Sequence, residues 1–178
     1  MVMDVYILRH GKAEARSTGV SGDAGRRLTE SGRREMGDVA AGIVSLGIMP
    51  RHVISSPLVR AKETASIVIE LLSKVGSAPG IAIWPELKPE SNILETHRRL
   101  INMAPDTSIM LVGHEPHLSS LASSMALSSG AGDNLLLNLK KGGVIMVRGS
   151  ASGPMIRGSM RYMMTPRQLR MCRRAKDA

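Results

Sequence analysis

Three short polar stretches each follow an apolar run: Arg9-His10-Gly11, Ser55-Ser56-Pro57 and Gly113-His114-Glu115-Pro116. Neutral imidazole attacks phosphorus readily, so His10 could act as a nucleophile toward a phosphoryl group. Arg9 beside it, and Arg60 three residues beyond Pro57, offer planar guanidinium forks. Such forks match the oxygens of a phosphate and neutralise equatorial charge as it develops. A helix starting at Ser56-Pro57 would add free backbone N–H groups and a favourable dipole. His114 could donate a hydrogen bond to the same oxygens. A single histidine is more often structural, but two after apolar runs, one with arginine beside it, point to phosphoryl transfer.

Rival chemistries fit less well. His114 and His117 are spaced i, i+3 with Glu115 between, yet H-E-x-x-H is missing and Pro116 interrupts the helical spacing a metal site needs. Gly149-Ser150-Ala151-Ser152-Gly153 puts Ala where a nucleophile elbow needs Ser, and no phosphate-binding P-loop occurs. No metal and no cofactor is expected. Ser21, Ser128 and Ser129 read as loop serines, and His52, His97 and His117 as surface residues.

The elements that must carry these residues alternate. Val2–Leu8 reads as a first strand, followed by a polar, Gly-rich loop from Lys12 to Arg27. Thr29 caps a helix whose apolar positions Met36, Val39, Ala40, Ile43 and Leu46 recur at helical spacing, and Gly47 and Pro50 end it. His52–Ser55 is a second strand; Ser56 caps the next helix, Pro57 takes its first position, and Ala61, Ala65, Val68, Ile69 and Leu72 form its stripe. Ile81–Trp84 reads as strand, Asn92–Met103 as helix, Ser108–Val112 as strand and His117–Leu127 as helix. Strand-like stretches at Gly143–Val147 and Pro154–Met163 precede a basic helix opened by Pro166. The pattern predicts a single three-layer α/β/α domain with a mostly parallel sheet. Ligands of such sheets bind beyond the carboxyl ends of the strands, where His10, Ser55-Ser56 and His114 fall. Residues 1–165 are expected to form the catalytic domain and 166–178 a basic C-terminal helix or tail.

Composition narrows the class further. At 178 residues, 43% hydrophobic and 22% charged, the chain suits one globular domain with a real core. The single cysteine, Cys172, forms no disulfide within the chain, no leader pattern is present, and no apolar run reaches membrane-spanning length. A cytoplasmic protein without membrane association is expected. There are 24 Lys and Arg against 15 Asp and Glu, a net charge of +9, and more than half the excess lies after Met160, where six cations meet Asp177 alone. That tail is either a solvated helix face or a landing strip for an acidic partner. With no Phe, one Trp and two Tyr, base stacking has little to work with, so nucleic acid is not an expected partner. Thirteen Met fill the core space that Phe would take elsewhere.

Arg9-His10-Gly11 resembles the R-H-G signature of the histidine phosphatase superfamily, with its phosphoglycerate-mutase-like fold. Ser56-Pro57-Leu58-Val59-Arg60-Ala61, with Thr64 and Ala65, resembles its S-P-x-x-R-A-x-x-T-A segment, and Gly113-His114-Glu115-Pro116 its second-histidine motif. Arg26-Arg27-Leu28-Thr29 with Gly32, Pro85-Glu86-Leu87 with Pro89, and Met164-Thr165-Pro166 with Leu169 are similar to the short SixA-type phosphohistidine phosphatases. The resemblance implies a nucleophilic His10, a phosphate pocket of Arg9, Arg26, Arg60 and His114, and a metal-independent reaction through a phosphohistidine enzyme. Arg26 and Arg27 are adjacent, and the sequence leaves open which faces inward. The implied substrate is phosphohistidine on a protein; a small phosphomonoester, or a non-catalytic phosphoprotein-binding role, is the alternative. Glu86, Glu90 and Glu115 are the candidate general acids, Glu86 lying nearest in position.

Overall fold

The computed structural model describes residues 2–15, 22–77, 79–126 and 137–174. Six strands, β1 (Met3–Arg9), β2 (His52–Ser55), β3 (Ile81–Ile83), β4 (Ser108–Gly113), β5 (Val144–Ser152) and β6 (Met155–Met164), form one sheet in the order β3-β2-β4-β1-β5-β6. The first four run parallel; β5 pairs antiparallel with β1, and β6 antiparallel with β5. The sheet is therefore mostly parallel, as expected, and the chain folds as a mixed α/β single domain.

Side chains alternate across the strands, giving each face its own core. Val5, Ile7, Ile54, Ile109, Leu111 and Ile145 join one cluster with Leu100, Leu118 and Leu121. Leu8, Val53, Met110, Val112 and Val144 join the other with Met36, Val39, Ala61, Val68 and Leu169. Helices α3 (Ile93–Ile101) and α4 (His117–Ala126) cover the first face, and α1 (Glu30–Ser45), α2 (Val59–Ser73) and α5 (Pro166–Arg174) the second. Among the described residues no helix is long and apolar enough to cross a membrane.

Local signals account for most boundaries. The Thr29 hydroxyl accepts from the Gly32 amide at 3.0 Å, and Asn92 Oδ1 accepts from Leu94 N at 2.9 Å, so both helices start where the sequence places a cap. Thr165 and Gln168 form a capping box, each side chain taking the other's amide, with Pro166 at the first helical position of α5. α5 then packs on α1 so closely that the Leu169 carbonyl lies where a Cβ of Gly42 would be. Arg170 faces Glu35 at 3.8 Å and Arg173 pairs with Asp38, which uses two of the tail's cations on α1.

Two expectations need correction. α2 begins at Val59 with Leu58 as its N-cap, two residues later than a Ser56 cap predicts. A residue before proline is held extended, so Ser56 stays ahead of the helix and its hydroxyl accepts from Leu58 N at 3.3 Å, within the turn that leads into α2. His97 and His117 are buried, not exposed. His97 lies on α3 at helical spacing from Ile93 and Leu100; its Nδ1 accepts from Ile156 N at 3.0 Å and its Nε2–H donates to Ser124 Oγ at 2.8 Å. His117 Nδ1–H donates to Ser91 O at 3.0 Å, and its Nε2 lies 3.1 Å from Thr96 Oγ1. His52 is exposed, as expected. Leu127, Ser21, Ser128, Ser129, Lys176 and Asp177 lie outside the described residues.

Candidate active site

The carboxyl ends of β1, β2 and β4 deliver Arg9-His10, Ser55-Ser56 and Gly113-His114 to one end of the sheet. β1 and β2 are separated by β4, so the chain reverses its winding here, the place where open α/β sheets leave a crevice. A cavity of about 250 Å³ opens there, lined by Arg9, His10, Asp23, Arg26, Arg60, Pro89, Glu90, His114, Glu115 and Lys141. All five predicted site residues, Arg9, His10, Arg26, Arg60 and His114, line it. Arg27 is exposed and absent from the lining.

His10 is 6% exposed. Its Nδ1–H donates to the Gly11 carbonyl at 2.7 Å, which fixes the tautomer and leaves Nε2 as an acceptor, 3.3 Å from Arg60 Nε–H. Burial, then the positive charges of Arg60, Arg9 and Lys141, push the ring down to about 4. The imidazole is therefore neutral with its lone pair facing the cavity. Gly11 permits this turn because a Cβ there would meet Met36 Cγ at 2.5 Å. The Gly11 amide donates to Thr64 Oγ1 at 3.1 Å, and Thr64 donates back to Arg60 O at 2.7 Å, so one threonine ties the nucleophile loop to the first turn of α2.

Arg60 is 4% exposed and all three of its nitrogens are engaged. Besides Nε on His10, Nη1 donates to Asp23 O at 2.7 Å and Nη2 to Asp23 Oδ2 at 2.8 Å. Arg26 Nη1 donates to Asp23 Oδ1 at 2.7 Å, and its Nε to Glu14 O at 2.7 Å. One carboxylate thus bridges two cavity arginines, and Arg26 and Arg60 hold it down to about 2. Arg9 Nη1 donates to Leu139 O at 2.8 Å, and its buried Nε has no partner among the described residues. The Gly142 amide donates to Arg9 O at 3.0 Å and the Arg9 amide to Gly143 O at 3.1 Å, joining the turn that carries Lys141 to the end of β1.

His114 stacks obliquely beside His10, ring centroids 4.9 Å apart. Its Nε2 lies 2.9 Å from Ser56 Oγ, which already accepts from Leu58 N at 3.3 Å. The Ser56 hydroxyl can give its proton to Nε2, and in that tautomer the ring proton sits on Nδ1, a buried atom without a hydrogen-bond partner among the described residues. Burial, His10 and Arg60 push the ring down to about 2, so it too is neutral. The crevice accordingly offers a neutral nucleophilic nitrogen, a neutral N–H donor and several guanidinium groups, the equipment for stabilising a phosphoryl group in transfer.

Of the candidate acids, Glu90 and Glu115 line the cavity and Glu86 does not. Glu86 Oε1 accepts from Arg99 Nη1 at 3.2 Å, and Arg99 stacks on Trp84 at 4.6 Å. His117 turns away into its bonds with Ser91 and Thr96, so it does not join His114 in a metal site. Sequence reasoning missed Asp23 and Lys141. Asp23 sits in an aperiodic loop and carries no signal beyond lying three residues before Arg26. Lys141 precedes Gly142-Gly143, a turn signal directly before a strand.

Residues 5–88 match the family described as histidine phosphatase superfamily (branch 1). An uncharacterized protein of Picosynechococcus sp. is 33% identical over 153 residues, covering 84% of this chain and 87% of that protein. Among solved structures, the protein histidine phosphatase SixA complexed with tungstate superposes with a TM-score of 0.75 at 24% identity, over 94% of this chain and 99% of that one. A putative phosphohistidine phosphatase SixA from Agrobacterium tumefaciens gives 0.63 at 25% identity, over 81% and 90%. A mycobacterial glucosyl-3-phosphoglycerate phosphatase gives 0.66 at 18% identity, over 93% and 100%.

Proposed function

The chain belongs to the histidine phosphatase superfamily and is a phosphatase, and we propose that it removes phosphate from phosphohistidine on a protein by two-step transfer through His10. The observation that carries this reading is the neutral, buried His10 with Nε2 free of its proton and facing the arginines of the cavity. In the first step the Nε2 lone pair bonds to phosphorus as the P–N bond to the substrate imidazole breaks, and that ring, protonated on its other nitrogen, leaves with the electron pair as neutral imidazole. In the second, a water oxygen attacks phosphorus, the bond to Nε2 breaks, and inorganic phosphate departs. Arg9, Arg26 and Arg60 neutralise the equatorial oxygens, and the free Nδ1–H of His114 donates to one of them. The guanidinium groups supply the positive charge, so no metal is required. Among the described residues no three His, Cys, Asp or Glu side chains are grouped to hold one.

The leaving group supports the choice of substrate. An alkoxide needs a proton as it departs, whereas a phosphohistidine nitrogen needs less help. Asp23, fixed by two arginines, is ionised at working pH and has no proton to give. Glu90 and Glu115 keep a second reading in view, hydrolysis of a small phosphomonoester with one of them as the acid.

Phosphate release measured in chelator tests both readings, with a phosphohistidine peptide in one arm and p-nitrophenyl phosphate and sugar monophosphates in the other. Preference for the peptide, abolished in a folded His10→Ala, is the expected result. Preference for a small ester would move the proposal to the second reading. Wild-type rates in His10→Ala would end the mechanism, and no release from any substrate would leave a phosphoprotein-binding module.

A further inference from the structure

Lys141 lines the cavity together with Glu90 and Glu115, and the positive charges of Arg9, Arg26 and Arg60 act on it. Asp23 offsets one of the two charges on Arg26 and Arg60, whereas the Lys141 ammonium makes no hydrogen bond or ion pair with any described residue. Lys141 is exposed, but the backbone that carries it is held in place. The Gly143 amide donates to Lys140 O at 2.8 Å, and Gly142 has φ +75°, so Lys140–Gly143 form a tight turn with Lys141 at its second position. Two further backbone hydrogen bonds join that turn to Arg9. A Cβ on Gly142 would also meet Met36 Sδ at 3.1 Å, which packs the turn against the core.

The fold thus holds a cation at the rim among like charges. Arg9, Arg26, Lys12 and Arg60 all act on Lys141 and, after burial, help lower its proton affinity. Lys12 is exposed and its side chain is likewise unpaired among the described residues. Like charges gathered this closely weaken the empty protein and are relieved when an anion arrives. The phosphoryl group is already served by Arg9, Arg26, Arg60 and His114, which leaves Lys141 and Lys12 for a different anion.

We propose that Lys141, with Lys12 beside it, forms a subsite for a carboxylate neighbouring the phosphorylated residue, so that the enzyme selects phosphohistidine in an acidic sequence. This rests on the reading of His10 as a nucleophile toward phosphohistidine.

Two peptides phosphorylated on histidine, one flanked by Asp and Glu and the other by Gln and Ala, test the subsite. The expected wild-type preference in kcat/KM for the acidic peptide is about fivefold, the size of one partly solvated ion pair, expressed in KM and diminished by salt. Lys141→Ala should erase the preference, Lys141→Arg retain it and Lys141→Glu invert it, with melting temperatures confirming that each variant folds. A wild-type ratio near one, or a ratio unchanged in Lys141→Ala, would overturn the subsite alone. An equal fall in kcat for both peptides would also overturn it, assigning Lys141 to the transferred phosphoryl group. Release from neither peptide would overturn the phosphohistidine reading together with the subsite.

Discussion

The same substitution at two glycines of α1 is expected to move stability in opposite directions. Nothing lies within 4 Å of a Cβ built on Gly37, so Gly37→Ala should gain the helix-propensity difference, about 0.5–1 kcal/mol. A Cβ on Gly42 would fall 1.9 Å from the Leu169 carbonyl oxygen and 2.6 Å from its carbon. Those are backbone atoms of α5, with no rotamer to move aside, so α5 itself must retreat to restore an ordinary contact. What it risks is the burial of Leu169, fully enclosed in the core and worth about 2 kcal/mol, and the exposed pairs Arg170–Glu35 and Arg173–Asp38, worth together about 0.5–1 kcal/mol. Subtracting the propensity gain leaves Gly42→Ala about 2 kcal/mol less stable than wild type. Urea unfolding of both variants reads the two signs, and limited trypsin digestion, which can cut after Arg167, Arg170 and Arg173, reads the release of α5. A Gly42→Ala protein as stable as wild type, with α5 still protected, would refute the packing of α5 on α1.

Acid should weaken the fold through its histidines. Burial drives His10 and His97 to about 4 and His114 to about 2, all below the unfolded 6.5, so the unfolded chain binds protons that the native one refuses. Stability should therefore fall between pH 6.5 and 4 by about 1.4 kcal/mol per pH unit per ring, and urea titrations giving a flat profile there would contradict the buried neutral rings. Asp23→Asn removes the carboxylate that occupies Arg26 and Arg60. Vanadate should bind the variant about fivefold more tightly as like-charge repulsion disappears, whereas weaker binding would show that the carboxylate serves chiefly to aim Arg60.

The end of the sheet that carries the candidate site was legible because polar residues and strand ends coincide there. His10, Ser56 and His114 each follow a run of β-forming residues, and parallel strands bring such ends together whatever their separation in sequence. Thr29 and Asn92 were legible for a similar reason, since a cap is a local hydrogen bond. Asp23 was not: its position depends on two arginines, one of them 37 residues away, and its loop has no periodicity. Lys141 was hidden likewise, because its place follows from backbone bonds between its turn and Arg9. His97 is an instructive miss. Its spacing from Ile93 and Leu100 marks it as inward-facing, but the partners that make its burial possible, Ser124 and the Ile156 amide, come from distant elements and leave no local pattern around it.

The cavity gathers groups from six separate stretches of chain, at Arg9-His10, Asp23-Arg26, Arg60, Pro89-Glu90, His114-Glu115 and Lys141. No fragment that lacks one of them can grip an oxyanion as the whole does, so occupancy and global folding become a single coupled equilibrium. An anion at a hundred times its dissociation constant would add about 2.7 kcal/mol to the folded state, comparable to a buried leucine. Inorganic phosphate, the product of hydrolysis, would then act on the free enzyme as a chemical chaperone, and the protein's resistance to unfolding would follow the phosphate concentration around it.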